Sequence, residues 1–271
     1  MMTDFSWNAG ANGFLNIGTA KLEYVCHGPT PEQAPTLVLL HEGLGSVSLW
    51  KEFPENLAKA TGLGVFVYSR AGYGASSPSI LPKAMDYMTE EAIDILPKVL
   101  NAINAQKVIL LGHSDGATIS AIYTGSVEDF RVRGLILMAP HFFTEPEGLE
   151  AIQNIKQEYE TGDLKARLAK YHDNVDCAFW GWCNAWLDPN FVEWNVTEVI
   201  DYFRVPILAV QGRDDPYGTL AQINEVEERS YSPVEVSILE DCGHAPHLEQ
   251  ADQTLAAIEN FVTRLQQIEA A

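Results

Sequence analysis

The stretch Lys107-Val108-Ile109-Leu110-Leu111-Gly112-His113-Ser114-Asp115-Gly116, with the residues that follow at 117–123, decides how this chain is read. Residues 108–111 are apolar at every position, which suits a strand covered by helices on both faces. Residues 117–123 carry a helical pattern. Between them lies Gly112-His113-Ser114-Asp115-Gly116, a G-x-S-x-G turn. A serine presented on so tight a strand-to-helix turn needs neighbours two residues away that lack side chains. The bare pattern is common by chance; the strand–turn–helix context makes Ser114 a candidate nucleophile.

Outward from this turn, short apolar runs alternate with longer helical stretches. Residues 36–40 (TLVLL), 65–68 (VFVY), 135–138 (LILM), 207–210 (ILAV) and 236–239 (VSIL) read as further buried strands. Helices are expected over 49–61, 89–104, 115–123 and 253–268. The alternation predicts an α/β fold with a doubly wound, mostly parallel sheet flanked by helices. Residues 141–204 break the rhythm. They offer no convincing strand but hold Trp180, Trp182, Trp186 and Trp194, four of the chain's six tryptophans. Helical spacing at 149–159 and 164–171 argues against a linker. The division expected is a core of 1–140 with 205–271 and a helical cap of 141–204. Trp180, Trp182 and Trp186 are candidate substrate-binding residues; the plainer alternative is a helical layer whose rings only pack on the core.

A hydroxyl is a poor nucleophile at neutral pH, so it needs a base, and the base needs an orienting group. After the strand at 207–210, Asp214 and Asp215 stand on a loop. After the strand at 236–239, Asp241-Cys242-Gly243-His244 places an imidazole on the next loop. In open α/β sheets, catalytic groups gather at the carboxyl ends of strands.

With these features in place, the sequence resembles the α/β-hydrolase-fold enzymes, in their serine-nucleophile, carboxylesterase-like form. The resemblance spans the whole chain except the insertion. It implies a catalytic triad Ser114, Asp215, His244, in the family's Ser…Asp…His order. The family's G-x-x-D spacing selects Asp215 over Asp214, and its D-x-G-H pattern matches residues 241–244. It also implies an oxyanion hole from two backbone amides, one on Asp115 and one in the loop His41-Glu42-Gly43-Leu44-Gly45-Ser46. Relatives have H-G-x there, whereas this chain has His41-Glu42-Gly43; the second donor is assigned to Gly43. Glu42 either meets substrate or turns away into a structural hydrogen bond. In the turn Arg70-Ala71-Gly72-Tyr73-Gly74-Ala75-Ser76, Ser69 replaces the family's usual aspartate.

No strict G-x-G-x-x-G and no metal-ligand spacing is present, so no cofactor and no metal are expected. At 271 residues, with 46% hydrophobic and 20% charged residues, the chain has a globular composition. A net charge of −20 argues against nucleic acid and anionic membrane surfaces as partners. Residues 1–16 show no basic segment followed by an apolar run, and the four cysteines lack paired spacing, which points to free thiols in a cytoplasmic protein. The expected partner is a small-molecule substrate, met by a monomer or homodimer. The function expected is hydrolysis of a small carboxylic ester or lactone. Carbon–carbon hydrolysis of a ring-cleavage product is an alternative, weakened by Ala245 where those relatives carry tryptophan. Cofactor-free haloperoxidases and acyltransferases share the same triad. A non-catalytic scaffold is disfavoured because no triad member is missing.

Overall fold

In the computed structural model, which describes residues 5–8 and 10–270, eight strands form one sheet. They are β1 (Asn12–Ile17), β2 (Ala20–His27), β3 (Thr36–Leu40), β4 (Gly64–Tyr68), β5 (Val108–His113), β6 (Val132–Met138), β7 (Ile207–Gly212) and β8 (Val234–Leu239). Their order across the sheet is β1-β2-β4-β3-β5-β6-β7-β8. From β4 to β8 all neighbours are parallel, and β1 and β2 add an antiparallel edge. All six strands read from the sequence are present.

The central strands show why their residues are apolar on both sides. In β3, Leu37 and Leu39 belong to the buried cluster that holds Leu57 and Phe261, while Val38 and Leu40 belong to the one that holds Leu96 and Val99. Alternate side chains thus enter two different cores, so no position is free to be polar. One face is covered by α1 (Phe53–Thr61) and the C-terminal helix. The other is covered by α2 (Tyr87–Glu90), which continues through a π-helical turn into α3 (Leu96–Ala102), and by α4 (Asp115–Ser126).

The insertion contains α5 (Pro146–Thr161), α6 (Leu164–Leu168) and α7 (Val175–Trp186), followed by two 3₁₀ turns, Pro189–Glu193 and Thr197–Tyr202. Between β7 and β8 lies α8 (Ala221–Arg229), and after β8 come α9 (Pro246–Glu249) and α10 (Ala251–Ala270). Among the described residues no helix is long and apolar enough to cross a membrane. Of the N-terminal stretch read for a leader, residues 1–4 and 9 lie outside the described ones.

Two corrections to the sequence reading have physical causes. The strand at 236–239 is not buried on both faces: β8 closes the sheet as an edge strand, with Val236 36% exposed. β1 and β2 have no counterpart in the expected strand set, because at most every second residue is well buried and several of the others, such as Asn16, Lys21 and Glu23, are polar. All four cysteines are buried and unpaired.

Candidate active site

The turn at Ser114 has the geometry its glycines suggest. Ser114 sits at φ 53°, ψ −120°, a backbone conformation rarely adopted by a residue with a side chain. A Cβ on Gly112 would overlap the carbonyl of Gly116, and one on Gly116 would overlap the carbonyl of Leu40. β5, α4 and β3 therefore close on one another only because both positions lack side chains. The strain is held by the Ser114 amide donating to the Met138 carbonyl at 2.9 Å, and by the Ser114 carbonyl accepting from Ala117 and Thr118.

Loops beyond β7 and β8 bring the other two residues together. Both carboxylate oxygens of Asp215 lie within hydrogen-bond reach of His244 Nδ1, at 2.8 and 2.9 Å. The Asp215 side chain is 1% exposed, and one of its oxygens also accepts the Tyr217 amide at 2.8 Å. Burial raises its pKa, yet the His244 hydrogen bond and the Tyr217 amide prevail and hold it below the ordinary aspartate value. Asp214, the alternative, is exposed. Its amide donates to the Cys242 carbonyl, which points the turn so that the following residue faces the imidazole.

Ser114 and His244 line one cavity of about 100 Å³. Residues of the core also contribute, Glu42, Gly43, Leu44, Asp115 and Tyr217, and the insertion supplies His141, Glu145, Gly148, Ile152, Trp182 and Trp186. Trp182 and Trp186 thus reach the cavity. Trp180 does not; its ring packs edge-on against Tyr159 and Phe179. Trp194 stacks with Phe191 and abuts Trp186 from behind. The amides of Gly43 and Asp115 have no acceptor among the described residues.

Sequence reasoning passed over His141 and Tyr217. His141 follows β6 at its carboxyl end, a position that could have drawn attention. Burial, with His244 alongside, pushes its pKa down to about 3, so it is neutral near pH 7. The Tyr217 ring lies 4.6 Å from that of His244 and so walls the imidazole. No cue in a single sequence marks it.

Glu42 is tied to a histidine. Its Oε2 is 3.4 Å from His113 Nδ1, while His113 Nε2 faces the His244 carbonyl oxygen at 2.6 Å. Burial disfavours the charge on each partner. The pairing outweighs it, so Glu42 falls below the ordinary glutamate value and His113 rises above the ordinary histidine value. The signs fix a pH window. The Glu42 contribution to stability is present above its unfolded value of 4.5 and is lost as pH falls through the lowered one. The His113 contribution is present below 6.5 and is lost as pH rises through the raised value. The melting-temperature difference between the parent and Glu42→Gln is therefore expected to be largest between about pH 4.5 and about pH 6.5. A difference independent of pH would show that the pair does not carry this charge.

Comparison with known proteins agrees with this architecture. Residues 35–191 match the family model of the alpha/beta hydrolase fold. The chain is 22% identical to a proline iminopeptidase of Lactobacillus acidophilus, over 87% of its own length and 92% of the relative's. Among solved structures, it resembles the enol-lactonase of Burkholderia xenovorans LB400 with a TM-score of 0.72 and 18% identity, covering 93% of this chain and 100% of that one. A carboxylesterase structure from the ammonia-oxidizing thaumarchaeon Nitrososphaera gargenis gives a TM-score of 0.74 at 21% identity, covering 94% and 99%. The matched model spans more than half of the chain and includes the Ser114 turn, so this protein belongs to the alpha/beta hydrolase fold family.

Proposed function

We propose that the protein is a serine hydrolase that cleaves a small carboxylic ester or lactone through an acyl-enzyme intermediate. The observation that carries this reading is the strained Ser114, lining the same cavity as an imidazole held by a buried carboxylate. Ser114 Oγ attacks the carbonyl carbon and its proton passes to His244, while Asp215 holds the imidazole and stabilises its charged form. The Gly43 and Asp115 amides receive the negative charge that develops on the carbonyl oxygen. His244 then protonates the departing alkoxide, and a water activated by the same imidazole releases the acid. Residues 141–204 act as a cap that shapes the acyl pocket through Trp182, Trp186 and Ile152.

A second reading is favoured by the charge of the lining. Of the acidic residues in the lining, Glu42 is paired with His113 and the Asp115 carboxylate is held by Trp186, Tyr87 and Arg70, which leaves Glu145; no lysine or arginine is among the described lining residues, so the lining suits an acyl group bearing an ammonium. With the likeness to a proline iminopeptidase, this points to cleavage after an N-terminal residue. The test is a panel of p-nitrophenyl esters of rising acyl length, lactones, a ring-cleavage dienoate and proline p-nitroanilide. Turnover of esters or lactones with the others untouched is expected. Turnover confined to the anilide would replace the first reading by the second, and turnover confined to the dienoate would refute both. On the same panel, Trp182→Ala is expected to shift acyl-length preference, whereas Trp180→Ala keeps the parent profile. Equal shifts from both would mean that the cavity does not govern selection.

A further inference from the structure

Helix α7 brings two indoles to the cavity, Trp182 and Trp186, four residues apart and therefore on one face of the helix. Each meets a different half of the proposed oxyanion hole. Trp182 lies so close over Gly43 that a Cβ there would overlap its indole nitrogen. Trp186 Nε1 donates to Asp115 Oδ1 at 3.2 Å and to Tyr87 Oη at 3.0 Å. Tyr87 in turn donates to Asp115 Oδ2 at 2.5 Å.

The same two halves are tied from beneath. Arg70 donates to the carbonyl oxygens of His41 and Glu42, the latter at 3.0 Å, and its guanidinium lies 3.9 Å from the Asp115 carboxylate. Arg70 and Asp115 are each 1% exposed. A carboxylate buried this deeply is costly to desolvate and gains little over an apolar residue in net stability. What it does here is fix residue 115, and with it the amide that follows the nucleophile, against both the insertion and the 41–43 loop.

We infer that Trp182 and Trp186 are positioning residues for the oxyanion hole, so that the insertion sets turnover as well as substrate fit. The inference rests on the reading of Gly43 and Asp115 as oxyanion donors. Its physical basis is the steep dependence of such stabilisation on donor placement: donors must sit about 3 Å from where the oxyanion forms, and small misplacements are costly.

A fluorophosphonate probe tests this without knowledge of the natural substrate. Ser114 Oγ bonds to phosphorus, fluoride departs, the hydroxyl proton passes to His244, and the phosphoryl oxygen occupies the oxyanion position. Labelling rates would be measured against probe concentration for the parent, Trp186→Phe and Trp182→Phe, with melting temperatures alongside. Trp186→Phe keeps a ring but removes the N–H; Trp182→Phe removes the part of the indole that covers Gly43. For each variant, the maximal labelling rate is expected to fall about tenfold or more, whether or not the half-saturating probe concentration also moves. Maximal rates equal to the parent's, or a change confined to half-saturation, would overturn the inference and leave the indoles as pocket walls. If one variant melts below the assay temperature, the other decides. A parent that is never labelled at Ser114 would instead defeat the proposed function, which separates the two failures.

Discussion

Ser114→Ala is expected to abolish turnover, with a loss on the order of 10⁴- to 10⁶-fold, while the fold survives. The size of the effect follows from the role proposed for the hydroxyl. Without it no covalent intermediate forms, and His244 and Asp215 are left with no nucleophile to serve. The loss of a single oxygen has little structural cost. Ser114 is 6% exposed and lines the cavity, and the backbone that anchors the turn, through Met138, Ala117 and Thr118, does not involve its side chain. Alanine must adopt the same left-handed φ as serine, and the glycines at 112 and 116 that admit the turn remain in place. Circular dichroism and thermal melting of the purified variant should match the parent. Hydrolysis at the parental rate would remove Ser114 from the mechanism.

Asp215→Asn is expected to lower the rate by about 10⁴-fold, and Asp214→Asn to leave it nearly unchanged. An amide at 215 presents an N–H₂ or a neutral oxygen to His244 Nδ1, so the imidazole is no longer held in the tautomer that can take the serine proton. The charge that stabilises the imidazolium is also lost. Both Asp215 oxygens point at that nitrogen, whereas Asp214 is exposed. Steady-state kinetics on one ester would rank the two variants. The reverse ranking would mean that the loop presents its carboxylates one residue out of step with the geometry described above.

The β3-to-β7 core and the Ser114 turn were legible in the sequence because both are dictated locally. A strand buried on both faces must be apolar throughout, and a nucleophile turn requires glycines at fixed spacing. His244 and the Asp214-Asp215 pair were legible because the loops past β7 and β8 leave the sheet at the same carboxyl edge, and the family resemblance, through its G-x-x-D spacing, singled out Asp215. The half-exposed β1, β2 and β8 left a weaker trace, since partial burial relaxes the apolar pattern. Other features depended on contacts between distant segments. Trp180, Trp182 and Trp186 share one helix, and the direction α7 faces is set by its docking, which turns Trp182 and Trp186 to the cavity and Trp180 to Tyr159. Glu42 could not be assigned from its neighbours because its partner, His113, lies some seventy residues along the chain. His141 and Tyr217 become walls of the site only when β6 and β7 lie side by side. Local chemistry, written in backbone strain and burial, was therefore readable from the residues themselves. The lining of the cavity, made by side chains far apart in sequence, was decided by tertiary packing.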